Sequence, residues 1–280
     1  MKLCCLAFAL LAGVPAWADS VVYSSLPAPL PPNAPSEGYE AESLAEFGDL
    51  VQLAGGPAVL LSATVAMSDW ALESDYSGYV GQTLGDSYIS LAGFTVPLTL
   101  TLYSVNGDGS VGSTIGAPYT VDAFIPWRPA PDPADCGAGS TRWLGSDGNC
   151  YNGALSTVTF QLPAVPVPGQ FIYGISYNTT NYGANPTTGV SGPYDSLNLG
   201  VTPTANGPSV GSNPVGYNYV ARSGGDFGPS GYDPTWIGQI EFDSTPEPAG
   251  LALTGMGLLG LGLGLRRARS RQHSADGGRR

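Results

Sequence analysis

Apolar residues in this chain recur at every second position, in run after run. Val59, Leu61, Ala63, Val65 and Met67 alternate with Leu60, Ser62, Thr64, Ala66 and Ser68. Phe94, Val96, Leu98, Leu100 and Leu102 alternate with Thr95, Pro97, Thr99, Thr101 and Tyr103. Val158, Phe160 and Leu162 repeat the pattern against Thr157, Thr159 and Gln161. Phe171, Tyr173, Ile175 and Tyr177 share one face, and Trp236, Ile240 and Phe242 share another. Side chains of a strand point alternately to its two faces, so this period gives each strand one buried and one wet side. Further strand signals lie at Ala45 to Leu53, Tyr88 to Leu91, Tyr119 to Ile125, Leu197 to Val201 and Tyr217 to Ala221. About ten strands with Gly/Asn/Asp-rich turns between them predict an all-β chain. Burying one face of each strand requires sheet on sheet, so the expected fold is a jelly-roll-like two-sheet β-sandwich. Pro97 predicts that its strand is at an edge or bulged, because proline has no donor for a second ladder.

The two ends break this pattern. Lys2, the apolar stretch Leu3 to Val14, and Ala16-Trp17-Ala18 follow one another as a secretory signal peptide does. That assigns residues 1–18 to a signal and predicts cleavage after Ala18, with Asp19 first in the mature chain. Residues 19–38, with Pro27, Pro29, Pro31, Pro32 and Pro35, read as an extended lead-in. Residues 39–245 are the expected sandwich. At the other end, Pro246-Glu247-Pro248 precedes an apolar, glycine-rich run over 249–265, then Arg266, Arg267, Arg269 and Arg271. As a helix the run spans about 26 Å, near the lower limit for crossing a bilayer. Arginines after it favour a cytoplasmic C-terminus, with a polar tail over 272–280.

The tripeptide, the glycine/leucine-rich run and the Arg266–Arg267 cluster together resemble the PEP-CTERM sorting signal, here over 246–271. The resemblance implies handling by an exosortase, a membrane protease-transpeptidase of Gram-negative bacteria that make exopolysaccharide. Substrates of that class are cut near the motif and released or attached at the cell surface. Pro246, Glu247, Pro248, Arg266 and Arg267 are then recognition residues, and the membrane is met only through the C-terminal helix. A plain single-pass anchor is the competing reading of the same tail.

Charge divides the chain in the same way. Of 22 acidic residues 20 lie within 19–245, against Arg128, Arg142 and Arg222 and no lysine, a net charge of −17 there. A surface of that sign repels phosphates and excludes nucleic acid as a partner. The sole histidine, His273, follows the apolar run. Without histidine or lysine in the exported part, Ser-His-Asp and Cys-His catalysis and Schiff-base chemistry are excluded there. A glycosidase needs only two carboxylates, but pairs such as Glu40/Glu42 and Asp69/Glu73 are too common in such a chain to point to one. No enzyme is expected.

Two cysteines remain after signal removal, Cys136 and Cys150, and an oxidising compartment predicts one disulfide between them. Asn106 and Asp108 alternate with glycine in Asn-Gly-Asp-Gly, which reads either as a calcium loop or as an ordinary hairpin turn. Calcium is the one cofactor that the sequence suggests. Sugars stack on exposed aromatic rings, so Trp127 and Trp143, in Pro/Gly-rich segments, are candidate sugar-binding residues, with Tyr182 and Tyr194 in the long Gly/Pro/Asn-rich segment from Asn178 to Gly216. Packing of those rings in the protein is the competing reading. The function expected is structural or adhesive, in the exopolysaccharide layer. A carbohydrate-binding module is the alternative, and a two-carboxylate glycosidase comes third.

Overall fold

The computed structural model describes residues 20–178, 197–214, 216–222, 225–231 and 235–245. Ala16, Ala18, Asp19, Tyr182, Tyr194 and the whole 246–280 tail lie outside the described residues. Among the described residues no helix is long and apolar enough to cross a membrane.

Among the described residues the regular structure is mostly β, with two α-helices of four residues each and two 3-10 turns of three. It enters as β1 (Ser20–Ser24) and β2 (Ser36–Glu37), then runs through β3 (Leu44–Gln52) and β4 (Ala58–Asp69). Short β5 (Thr83–Leu84) and β6 (Ser87–Ile89) precede the long β7 (Gly93–Val105), followed by β8 (Val111–Thr114) and β9 (Tyr119–Pro126). A small ribbon comes next, β10 (Trp143–Leu144) with β11 (Cys150–Tyr151). The chain continues as β12 (Ala154–Val167), β13 (Gln170–Ser176), β14 (Asn198–Pro203), β15 (Asn218–Arg222) and β16 (Gly228–Ser230). It closes with β17 (Trp236–Gly238) and β18 (Ile240–Ser244).

Two antiparallel sheets result. The first has the order β1-β18-β4-β14-β17, with β12 on the far flank of β4 and β2 beside β14. The second runs β16-β15-β3-β13-β7-β6-β5, with β8 and β9 on the other flank of β7. One apolar core joins them: Phe242 of the first sheet meets Phe171 and Tyr173 of the second edge-on, at 5.3 and 5.9 Å between ring centroids. Each such ring, taken fully out of water, contributes about 1.5–3 kcal/mol.

The inward positions of β7, β12 and β13 are those the alternation predicts: Phe94, Val96, Leu98 and Leu100, then Val158, Phe160 and Leu162, then Phe171, Tyr173 and Ile175 are all buried. β4 departs from its predicted parity. Leu60 is buried where Val59 and Leu61 were expected, and Ala63 follows three positions later. The cause is local: the pairing with β12 shifts between Gln161 and Val165, and that with β18 shifts between Asp243 and Ser244. A bulge changes which residues face the core.

Pro97 corrects a second expectation. β7 is paired on both flanks, so it is no edge strand, and its register against β9 runs unbroken through Pro97, so it is not bulged there. β6 partners residues 94 and 95, and β13 partners 99 to 103, which leaves Pro97 in a gap between the two. The missing donor falls where the ladder is already interrupted. The lead-in also differs from its expectation, because its first residues form β1 and pair with β18.

Candidate functional site

The segment between β9 and β12 contains little regular structure, yet it is firmly pinned. Cys136 and Cys150 form the predicted disulfide, with Cα atoms 5.7 Å apart. The Asp132 carboxylate accepts from the backbone N–H groups of Ala134 and Asp135 at 3.1 Å each. The Asp132 N–H reaches the Arg142 carbonyl at 2.8 Å and closes the loop across its base. An open polar depression of about 540 Å³ lies over this loop, with Gly137, Ser140, Thr141, Arg142 and Asn152 in its lining.

Arg128 anchors the loop from below. It is buried, and its guanidinium donates to three main-chain carbonyls: Trp70 at 2.8 Å, Thr141 at 3.1 Å and Pro129 at 3.4 Å. Burial lowers its pKa, opposed by the nearby Asp69 and Asp75 carboxylates. A planar group with five donors suits such fan-shaped recognition of carbonyls.

The aromatic residues divide into two sets. Trp127 is half-buried and stacks on Tyr76 at 4.8 Å, with Phe94 at 5.2 Å on the core side. Its indole N–H donates to the Ser90 carbonyl at 3.2 Å. The ring therefore packs against one end of the core, in line with the packing reading of these aromatics. Trp143 fares differently. Its N–H donates to the Gly153 carbonyl at 2.8 Å, and its ring leans against Tyr151 at 5.9 Å. Trp70 lies on the same glycine. A Cβ on Gly153 would fall 2.4 Å from the Trp70 Nε1 and 2.6 Å from Ser68 Oγ. Trp70 is 39% exposed, and its N–H donates to Ser68 Oγ at 3.1 Å.

The two indoles Trp70 and Trp143 therefore meet at Gly153, with Tyr151 beside them. Sequence reasoning selected Trp143 and passed over Trp70 and Tyr151. A tryptophan directly after a strand reads as core, and only the tertiary approach of Gly153 brings Trp70 to this loop. Tyr151 donates from its hydroxyl to Asp147 Oδ2 at 2.6 Å, and Asn149 adds two more donors to the same carboxyl group. These bonds hold Asp147 below the usual carboxylate range and raise the Tyr151 hydroxyl.

The Asn106–Asp108 segment is the turn joining β7 to β8. Asp108 Oδ1 accepts from the Ser110 hydroxyl at 2.6 Å and its N–H at 3.0 Å, which keeps its pKa low. Asn106 spends its amide donors on Ser110 Oγ and the Val111 carbonyl. The hairpin reading accounts for both residues. Among the described residues no three His, Cys, Asp or Glu side chains group as metal ligands. The carboxylate pairs also separate: Glu40 and Asp69 are buried, while Glu42 and Glu73 face solvent.

One acid is unusual. Asp49 on β3 is 1% exposed, between the sheets. Burial raises its pKa to about 8, although the Gly238 N–H at 2.8 Å and the side chains of Asn213 and Tyr173 pull the other way. A carboxyl that closed to solvent is a structural hydrogen-bonding group, with no access for a substrate.

No family model, no curated protein and no solved structure matches this chain.

Proposed function

We propose that this protein is exported, sorted through a PEP-CTERM signal by an exosortase, and acts structurally or adhesively in an exopolysaccharide layer. The observation that carries the reading is a coincidence of boundaries. One compact unit runs Asp19–Thr245, and the signal-type segment ends at Ala18 while the Pro-Glu-Pro motif starts at Pro246. The disulfide adds support, since such bridges persist in oxidising compartments. In this reading the ectodomain is a jelly-roll-like sandwich: β3, β7, β13 and β15 belong to one sheet, and β4, β12, β14 and β18 to the other, so the chain crosses repeatedly between them. In the same reading residues 249–265, which lie outside the described residues, are the membrane-spanning segment before processing.

Mass spectrometry of the exported protein tests the proposal. A mature chain beginning at Asp19 and ending near Glu247 is the expected result. An exported form intact through Arg280 overturns the sorting step.

A further inference from the structure

The strand register aligns four residues that are far apart in sequence. Thr83 pairs with Tyr88, Tyr88 with Thr95, and Thr95 with Phe124, across β5, β6, β7 and β9. Residues directly opposite one another on neighbouring strands project from the same face. Here it is the outer face, because Ile89, Phe94 and Ile125, the next residues along, are buried. Tyr88 is 49% exposed and Phe124 52%. They rank among the most exposed large apolar side chains of the described residues, and a hydroxyl residue separates them. Two strand spacings put the rings roughly 10 Å apart. Behind this row lies Asp122, opposite Pro97, and then Thr99 opposite Thr120, whose hydroxyls bond at 2.9 Å.

We propose that this row is a binding face for an extended neutral polysaccharide, with Tyr88 and Phe124 stacking on two sugar rings of one chain. Sugars present C–H faces rimmed by hydroxyls. The row offers matching chemistry: two rings for the faces, and threonine hydroxyls and the Asp122 carboxylate for the rims. A protein partner would instead want a continuous apolar patch with charge kept from its centre, which Thr95 between the rings and Asp122 in the next row do not provide. The ligand's charge follows from the sequence. None of β5, β6, β7 or β9 carries an arginine or lysine, so a polyanionic glycan would find no counter-charge and a strongly acidic protein around it. The inference rests on the proposed setting among extracellular polysaccharide, but its test does not depend on how the protein is sorted.

The full chain, purified in detergent, is mixed with microcrystalline cellulose, chitin and alginate beads, and the bound fraction is measured. Retention on at least one neutral polymer and none on alginate is expected. Tyr88→Ala and Phe124→Ala each weaken retention roughly tenfold, the scale of one lost aromatic anchor. Tyr88→Phe keeps the ring and retains most of the binding, and Trp143→Ala changes it little. Both aromatic positions are exposed, so the variants should keep the wild-type melting curve. Failure of the wild-type protein to bind either neutral polymer overturns the proposal. So does equal loss in Trp143→Ala, or a fall in oligomeric mass by light scattering in the Tyr88 and Phe124 variants, which would mark the face as a self-association surface. Failure of the sorting proposal would appear separately, in the terminal masses.

Discussion

The sheet core and the disulfide loop hold their aromatic residues by different means. In the core, Phe242, Phe171 and Tyr173 interlock edge to face with essentially no exposure, and burial does the holding. At the loop, Trp143 and Tyr151, with Trp70 meeting them at Gly153 from the end of β4, are partly exposed and are fixed at their polar atoms, by Gly153, Asp147 and Ser68 respectively. A covalent bridge supplies what a small buried area cannot. The core should therefore tolerate polar change badly and covalent change well, and the loop should do the reverse.

The sharpest break of that contrast is Phe242→Ala. It leaves a cavity between the sheets and should cost about 3–5 kcal/mol, seen as a lower denaturant midpoint for the whole unit. Next comes removal of the bridge by Cys136→Ser with Cys150→Ser. The closed loop is short, so the expected loss is about 3 kcal/mol. Hydrogen exchange should rise first across residues 130–152, with β7 and β13 protected as before. Rapid exchange in β7 or β13 would show that the loop is no separate unit.

The third test uses pH and reads the core alone. The folded pKa of Asp49 lies near 8, above its unfolded value, so the fold favours the neutral acid. Its contribution is complete below the unfolded pKa, about 4. It declines as pH rises and is lost once pH passes 8. Glu46, raised by burial, acts with the same sign. The melting temperature should therefore fall between pH 5 and pH 9, and Asp49→Asn should flatten that slope. A wild-type curve that is flat over this range would contradict the buried-acid account. The smallest expected effect is Gly153→Ala, in which the new methyl meets the Trp70 ring. Overpacking of this kind costs about 1–3 kcal/mol, and the tryptophan fluorescence should shift with it.

Much of the core could be read from alternation, because a strand's faces are set by position parity alone. Phe94 to Leu100 and Phe171 to Ile175 needed no tertiary knowledge. Parity fails at a bulge, and β4 shows this: its shift arises where β12 and β18 slip against it, and no residue of β4 announces the slip. The disulfide could be read because only two cysteines remained to pair. The packing of Trp127 is hidden from the sequence for a different reason. Its neighbours are prolines and glycine-rich loop, but its burial is decided by Tyr76 and Phe94, which approach from elsewhere in the chain. Tyr88 and Phe124 lie 36 residues apart. Their alignment through Thr95 exists only once register is known, so neither residue stands out before folding.

The pairing of Ser20 with Ser244 has a mechanical consequence. β1 is an edge strand whose main ladder partner is β18, and the first residue of one lies beside the last residue of the other, with their hydroxyls 3.2 Å apart. A pull applied between residues 20 and 245 would open that ladder like a zipper, one hydrogen bond at a time, at low force. A pull between residue 245 and the Tyr88–Phe124 face would instead have to pass from β18 through the Phe242 contacts into the second sheet. A protein held at its C-terminal end and gripping a fibre by that face would carry the tension across its core, from one sheet to the other.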